Sequence, residues 1–93
     1  MLDFLTDLWY WITGRGFHAN VLSWTASTTP DVTYTVFRWY GDVPIARIAS
    51  GLTATTYRDS AVAAGTAYTY EVQAVDSVGI GSKLAGPITL VAK

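Results

Sequence analysis

The 93-residue sequence has no cysteine, and it carries histidine and glutamate once each, as His18 and Glu71. Without thiols there is no disulfide framework, no thiolate nucleophile and no cysteine metal ligand. Charge is scarce as well. Asp, Glu, Lys and Arg make up 14% of the chain and the formal net charge is −1, against roughly 25% charged residues in an average soluble domain. The basic residues Arg15, Arg38, Arg47, Arg58, Lys83 and Lys93 are scattered, so they build no stripe that could track phosphates, and nucleic-acid binding is not expected. No run approaches the ~20 apolar residues of a membrane span. The opening residues have Asp3 and Asp7 where a signal peptide would carry positive charge, and no small-residue cleavage site follows the apolar stretch. The cellular location stays open, with a virion or an extracellular setting the best fit.

These absences weigh against catalysis, which needs acids, bases or nucleophiles held together. His18 reads as a surface or capping histidine beside a strand. No serine lies in a G-x-S-x-G elbow. "GIGSK" (79–83) has the glycines of a phosphate loop but no helix after it, and a strand-connecting turn explains them. Asp31, Asp42, Asp59 and Asp76 stand apart in sequence, without zinc or calcium-loop spacing. The expectation is a non-enzyme, with no catalytic, metal or cofactor residues.

What is present is apolar: 51% of the residues, including four Trp, six Tyr and three Phe. A chain of this length forms one domain with one modest core. From residue 20 onward the hydrophobic period is two. "NVLSWT" puts Leu22 and Trp24 on one face. "TYTVFRWY" (33–40) puts Tyr34 and Val36 on one side and Thr33, Thr35 and Phe37 on the other. "AYTYEVQAV" (67–75) turns Tyr68, Tyr70, Val72 and Ala74 inward, and "PITLVAK" alternates in the same way. β-Branched and aromatic residues fill these runs, as half-buried strands prefer. "STTPD", "YGDVP", "SGL", "AAGT" and "DSVGIGS" separate them with turn residues. Short strands so spaced indicate an all-β, antiparallel sandwich.

The segments "LSWTAS", "YTVFR", "TTYRD" and "GTAYTYEVQAVDSVGIGS" resemble, in order and spacing, a fibronectin type III domain over about residues 18–93, in the wording of bacterial and phage modules. The resemblance implies a seven-stranded, immunoglobulin-like Greek-key sandwich. It places Trp24 as the core tryptophan of the second strand and Tyr34 and Val36 as the inward pair of the third. It makes Tyr68 the tyrosine-corner residue, and "GIGS" the turn into the last strand. The integrin-type Arg-Gly-Asp tripeptide is missing, since Arg15-Gly16 continues to Phe17.

The front of the chain departs from the family pattern. Where a mild first strand belongs, the sequence reads "WYWIT" after an extra "MLDFLTD". Residues 1–16 are therefore an aromatic N-terminal segment and 17–93 the sandwich. As a strand, the segment alternates Leu8, Tyr10 and Ile12 against Trp9 and Trp11. As a helix, Asp3 is an N-cap, Gly14 a C-terminal cap, and Leu5, Leu8, Trp9 and Ile12 share a face. Aromatics favour the strand; the caps, and the lack of alternation in "DFLTDL", favour a short helix over 3–12. "LTDLWYWI" also resembles amphipathic activation helices of the Phe-Ser-Asp-Leu-Trp type, with Leu5 where those have Phe.

In either form the segment carries more rings than one face can use. Large rings bury ~150–250 Å² each, and soluble monomers seldom leave such a patch open. It serves either as a lid on the sandwich or as an interface formed by Phe4, Leu5, Leu8, Trp9, Tyr10, Trp11 and Ile12. The leading functional expectation is a structural or assembly module of a virion, tail or extracellular filament, contacting a second copy or a neighbouring structural subunit. The alternatives are a natural or engineered binding module with Trp9, Tyr10 and Trp11 as its hot spot, and a spacer in a secreted glycan-degrading enzyme.

Overall fold

A computed structural model of the chain describes residues 8–12, 19–82 and 84–92. These form seven strands: β1 (Leu8–Ile12), β2 (Asn20–Trp24), β3 (Thr33–Tyr40), β4 (Val43–Leu52), β5 (Thr56–Asp59), β6 (Ala67–Val75) and β7 (Ala85–Val91). They make two antiparallel sheets, one ordered β1-β2-β5 and the other β4-β3-β6-β7. The chain changes sheet between β2 and β3, between β4 and β5, and again between β5 and β6, as a Greek-key sandwich requires.

Alternation decides which residues form the core between the sheets. Leu22 and Trp24 from β2, Tyr34 and Val36 from β3, and Tyr68, Tyr70, Val72 and Ala74 from β6 are all buried, joined by Ala85, Leu90 and Ala92. Trp24 and Tyr34 meet edge to face across the sheets, with ring centroids 5.5 Å apart, an arrangement the ring quadrupoles favour. The Tyr68 hydroxyl accepts a 2.7 Å hydrogen bond from the Ala63 amide, five residues back. That bond ties the β5–β6 connection to the core, which is the tyrosine corner the resemblance implied.

The short helix favoured over residues 3–12 does not form over 8–12. Leu8–Ile12 is a strand paired antiparallel to β2, from Leu8 opposite Trp24 to Ile12 opposite Asn20. An isolated helix of that length is marginal in water, whereas the free edge of β2 offers a hydrogen-bonded ladder that aromatic residues suit. The Asp3 cap, Phe4, Leu5, the Gly14 cap and His18 lie outside the described residues.

Both outer strands of the four-stranded sheet, β4 and β7, contain a proline, Pro44 and Pro87. The β3–β4 pairing also shifts register three times along its length. Prolines and bulges of this kind blunt an edge against pairing with foreign strands.

Candidate functional site

Three places stand out beyond the core. The first is β1, the outer strand of the three-stranded sheet, with β2 on one side. Leu8, Tyr10 and Ile12 hold the register positions opposite Trp24, Leu22 and Asn20, which are buried. Trp9 and Trp11 hold those opposite Ser23 and Val21, which are half-buried. Residues 8–12 thus form part of the three-stranded sheet, and Trp9 and Trp11 share one set of register positions.

The second is the β6–β7 loop. Asp76 organises it: carboxylate Oδ1 accepts hydrogen bonds from the amides of Val78 (3.0 Å) and Ile80 (2.9 Å). Its main chain closes the turn by bonding Ile80 and Gly79. Gly79 has φ +88°, a conformation glycine adopts without strain. At Gly81 a Cβ would lie 2.5 Å from the Gln73 amide nitrogen, so any side chain there displaces the end of Gln73. That amide is itself held, donating to the Ser82 carbonyl at 2.8 Å. The loop therefore carries two apolar side chains on a fixed frame, Val78 at 76% and Ile80 at 63% exposure.

The third is a polar cluster inside the sandwich, contributed by strands of both sheets. Asp59 on β5 is buried, and Arg38 Nη1 on β3 lies 2.9 and 3.1 Å from its two carboxylate oxygens. The Tyr70 hydroxyl on β6 donates to the same carboxylate at 2.6 Å and accepts from Asn20 Nδ2 on β2 at 2.9 Å. The Ala61 amide donates to Asp59 Oδ1, and Arg38 Nη1 also reaches the Ala61 carbonyl. The guanidinium sits 5.3 and 5.7 Å from the ring centroids of Tyr68 and Tyr40, close enough for cation–π attraction. Burial, reinforced by the hydrogen bond to Asp59, pushes the Tyr70 hydroxyl's pKa far above its ordinary value. With both Asp59 oxygens taken by donors, the cluster joins the two sheets through hydrogen bonds.

In the sequence Asp59 stands isolated, and nothing local assigns Arg38 or Asn20 a role. The signal lies in the alternation. Arg38 continues the inward series of Tyr34 and Val36, and Asp59 follows Tyr57, which packs on the core, two residues later. Opposite charges on two inward faces belong together. Among the described residues no group of three or more His, Cys, Asp or Glu side chains could hold a metal ion.

No family profile and no curated protein matches the sequence. Solved structures do. A Fn3-like protein from Clostridium thermocellum superimposes with a TM-score of 0.80 at 30% identity, over 95% of this chain and 90% of that one. Pectate lyase PelI from Erwinia chrysanthemi, solved with tetragalacturonic acid, gives a TM-score of 0.74 at 22% identity, over 91% of this chain but 28% of the lyase. A myokine gives 0.75 at 16% identity, over 95% of this chain and 94% of that one. The last two likenesses concern the fold alone. With the tyrosine corner, the Trp24 core and the two-sheet order in place, the first places this chain in the fibronectin type III family.

Proposed function

We propose that this domain is a non-catalytic assembly module that contacts a neighbouring copy, or a neighbouring structural subunit of a virion, tail or filament, through β1. The observation that carries the reading is the placement of Trp9, Tyr10 and Trp11 on an outer strand that pairs with β2 alone, with β7 of the other sheet nearby but not joined to it in a ladder. Trp and Tyr are enriched where binding energy concentrates, and a low-charge surface costs little to desolvate. Sedimentation of the full chain across a concentration series tests it. A largest species that shrinks in Trp9→Ser/Trp11→Ser, with an unchanged far-UV dichroism spectrum, supports the reading. A size distribution that the double substitution leaves unchanged sinks it.

A second reading draws on one comparison. This chain matches 28% of a pectate lyase, the arrangement expected of an accessory module beside a glycan-degrading catalytic domain. On that reading the chain is a spacer and stays monomeric.

A further inference from the structure

The outer face of the four-stranded sheet carries a second apolar surface on the opposite side of the molecule's core from the three-stranded sheet. Tyr34, Val36, Tyr70, Val72 and Leu90 are buried inward, so alternation turns Phe37, Trp39, Glu71 and Val91 outward. Phe37 and Trp39 are only half-covered and do not belong to the core cluster. Cross-strand register gathers them into rows. One row reads Arg47, Phe37, Glu71 across β4, β3 and β6. In the next, Trp39 stands opposite Thr69, which pairs with Thr89 through a 2.9 Å hydroxyl contact. Val91 on β7, 47% exposed, flanks them.

The first row is self-complementary: positive, aromatic, negative. Neither Arg47 nor Glu71 forms an ion pair among the described residues. A two-fold axis lying between two such faces and running along β3 over Phe37 sets Arg47 of each copy against Glu71 of the other, twice. The same axis stacks Phe37 on Phe37 and Trp39 on Trp39. An isologous contact needs a patch that complements itself, and outer sheet faces of this kind pack aligned, ~10 Å apart. We propose that this face is a two-fold interface with a second copy of the chain, keyed by reciprocal Arg47–Glu71 pairs around the Phe37 and Trp39 rings. Burial already raises the pKa of the Glu71 carboxyl above its ordinary value, as a carboxylate in an apolar setting without a cation would show.

Four strands of this length present a face on the order of 500 Å² per copy. The pair then covers about 1,000 Å², the lower bound of specific interfaces, so the dimer is weak and shows at high protein concentration. The contact adds to the β1 reading without depending on it. Two surfaces on different sheets link copies into chains, whereas the sheet face alone stops at a dimer.

Charge reversal tests the pairing. Sedimentation equilibrium of the full chain, up to millimolar concentration, compares the unsubstituted protein with Arg47→Glu, Glu71→Arg and the double reversal, each checked for fold by dichroism. Each single reversal should weaken the dimer by at least about tenfold, and the double reversal should restore it, because it rebuilds both pairs. A protein monomeric throughout, single reversals without effect, or a double reversal that restores nothing would overturn the proposal. So would a monomer whose tryptophan emission shifts on titration with cellohexaose, which would make the face a sugar platform. Trp9→Ser/Trp11→Ser separates the two readings: it should remove the larger species and leave the dimer.

Discussion

The Tyr70 hydroxyl donates a 2.6 Å hydrogen bond to the carboxylate of Asp59, a residue of the opposite sheet. The two side chains meet in the interior, where Arg38 neutralises the carboxylate and Asn20 supplies the hydroxyl with its donor. Each member is held by another, so the group tolerates loss of one member poorly.

Asp59→Ala should cost about 3 kcal/mol in urea denaturation, since it leaves Arg38 facing two rings without a counter-charge. Tyr70→Phe should cost less, about 2 kcal/mol, by removing one hydroxyl and stranding the Asn20 amide, whose Oδ1 already lacks a partner among the described residues. The double variant should fall short of the sum, because both changes break the same hydrogen bond. Additive losses would show that the two side chains are not coupled.

Alkaline pH should expose the same group. The Tyr70 pKa lies above its ordinary 10.0 in the folded protein, through burial first and the hydrogen bond to Asp59 second. Between the two values the folded state keeps a proton that the unfolded state has lost. Its contribution is therefore complete below pH 10 and declines as pH rises toward the folded-state value. Urea midpoints should fall above pH 10, and the fall should be shallower in Tyr70→Phe. Identical slopes would remove Tyr70 as the cause.

The two aromatic anchors of the fold should fail differently. Trp24→Ala deletes a buried ring and should cost about 3–5 kcal/mol. Tyr68→Phe keeps the ring against Tyr40, whose centroid is 4.7 Å away, and loses only the bond from Ala63, about 1 kcal/mol. Denaturation midpoints check both, and a neutral Trp24→Ala would contradict the packing of β2.

In the β6–β7 loop, Asp76→Ala should raise hydrogen exchange at the Val78 and Ile80 amides while lowering stability by about 1 kcal/mol. Gly81→Ala should cost no more than about 1 kcal/mol, the bond Gln73 gives up when it leaves the Ser82 carbonyl to make room. Unchanged exchange at residues 78 and 80 would mean that the carboxylate does not hold the loop.

Much of this architecture can be read from period-two alternation, because inward residues such as Leu22, Val36 and Val72 follow from it directly. The N-terminal segment is less legible. The caps at Asp3 and Gly14 and the strand-forming rings of "WYWI" argue for different structures, and only the vacant edge of β2 decides for strand over 8–12. The polar cluster and the sheet face share another obstacle. Asn20 and Tyr70 are fifty positions apart, and Arg47, Phe37 and Glu71 become neighbours only through pairing register. A surplus of apolar residues is visible in composition; where it gathers depends on which strands lie side by side.

The span of the Asn20–Tyr70–Asp59–Arg38 cluster also bears on the order in which the molecule assembles. Its members come from four strands of both sheets, so the cluster closes only after β2, β3, β5 and β6 have found their places. Such contacts close loops of long sequence separation, so chain-closure entropy is spent before they can be made. If they form after the folding transition state, damage there should leave the rate of folding nearly unchanged and appear as faster unfolding. The cluster would then act as a latch on the finished domain, lengthening the life of each folded molecule without guiding the chain toward it.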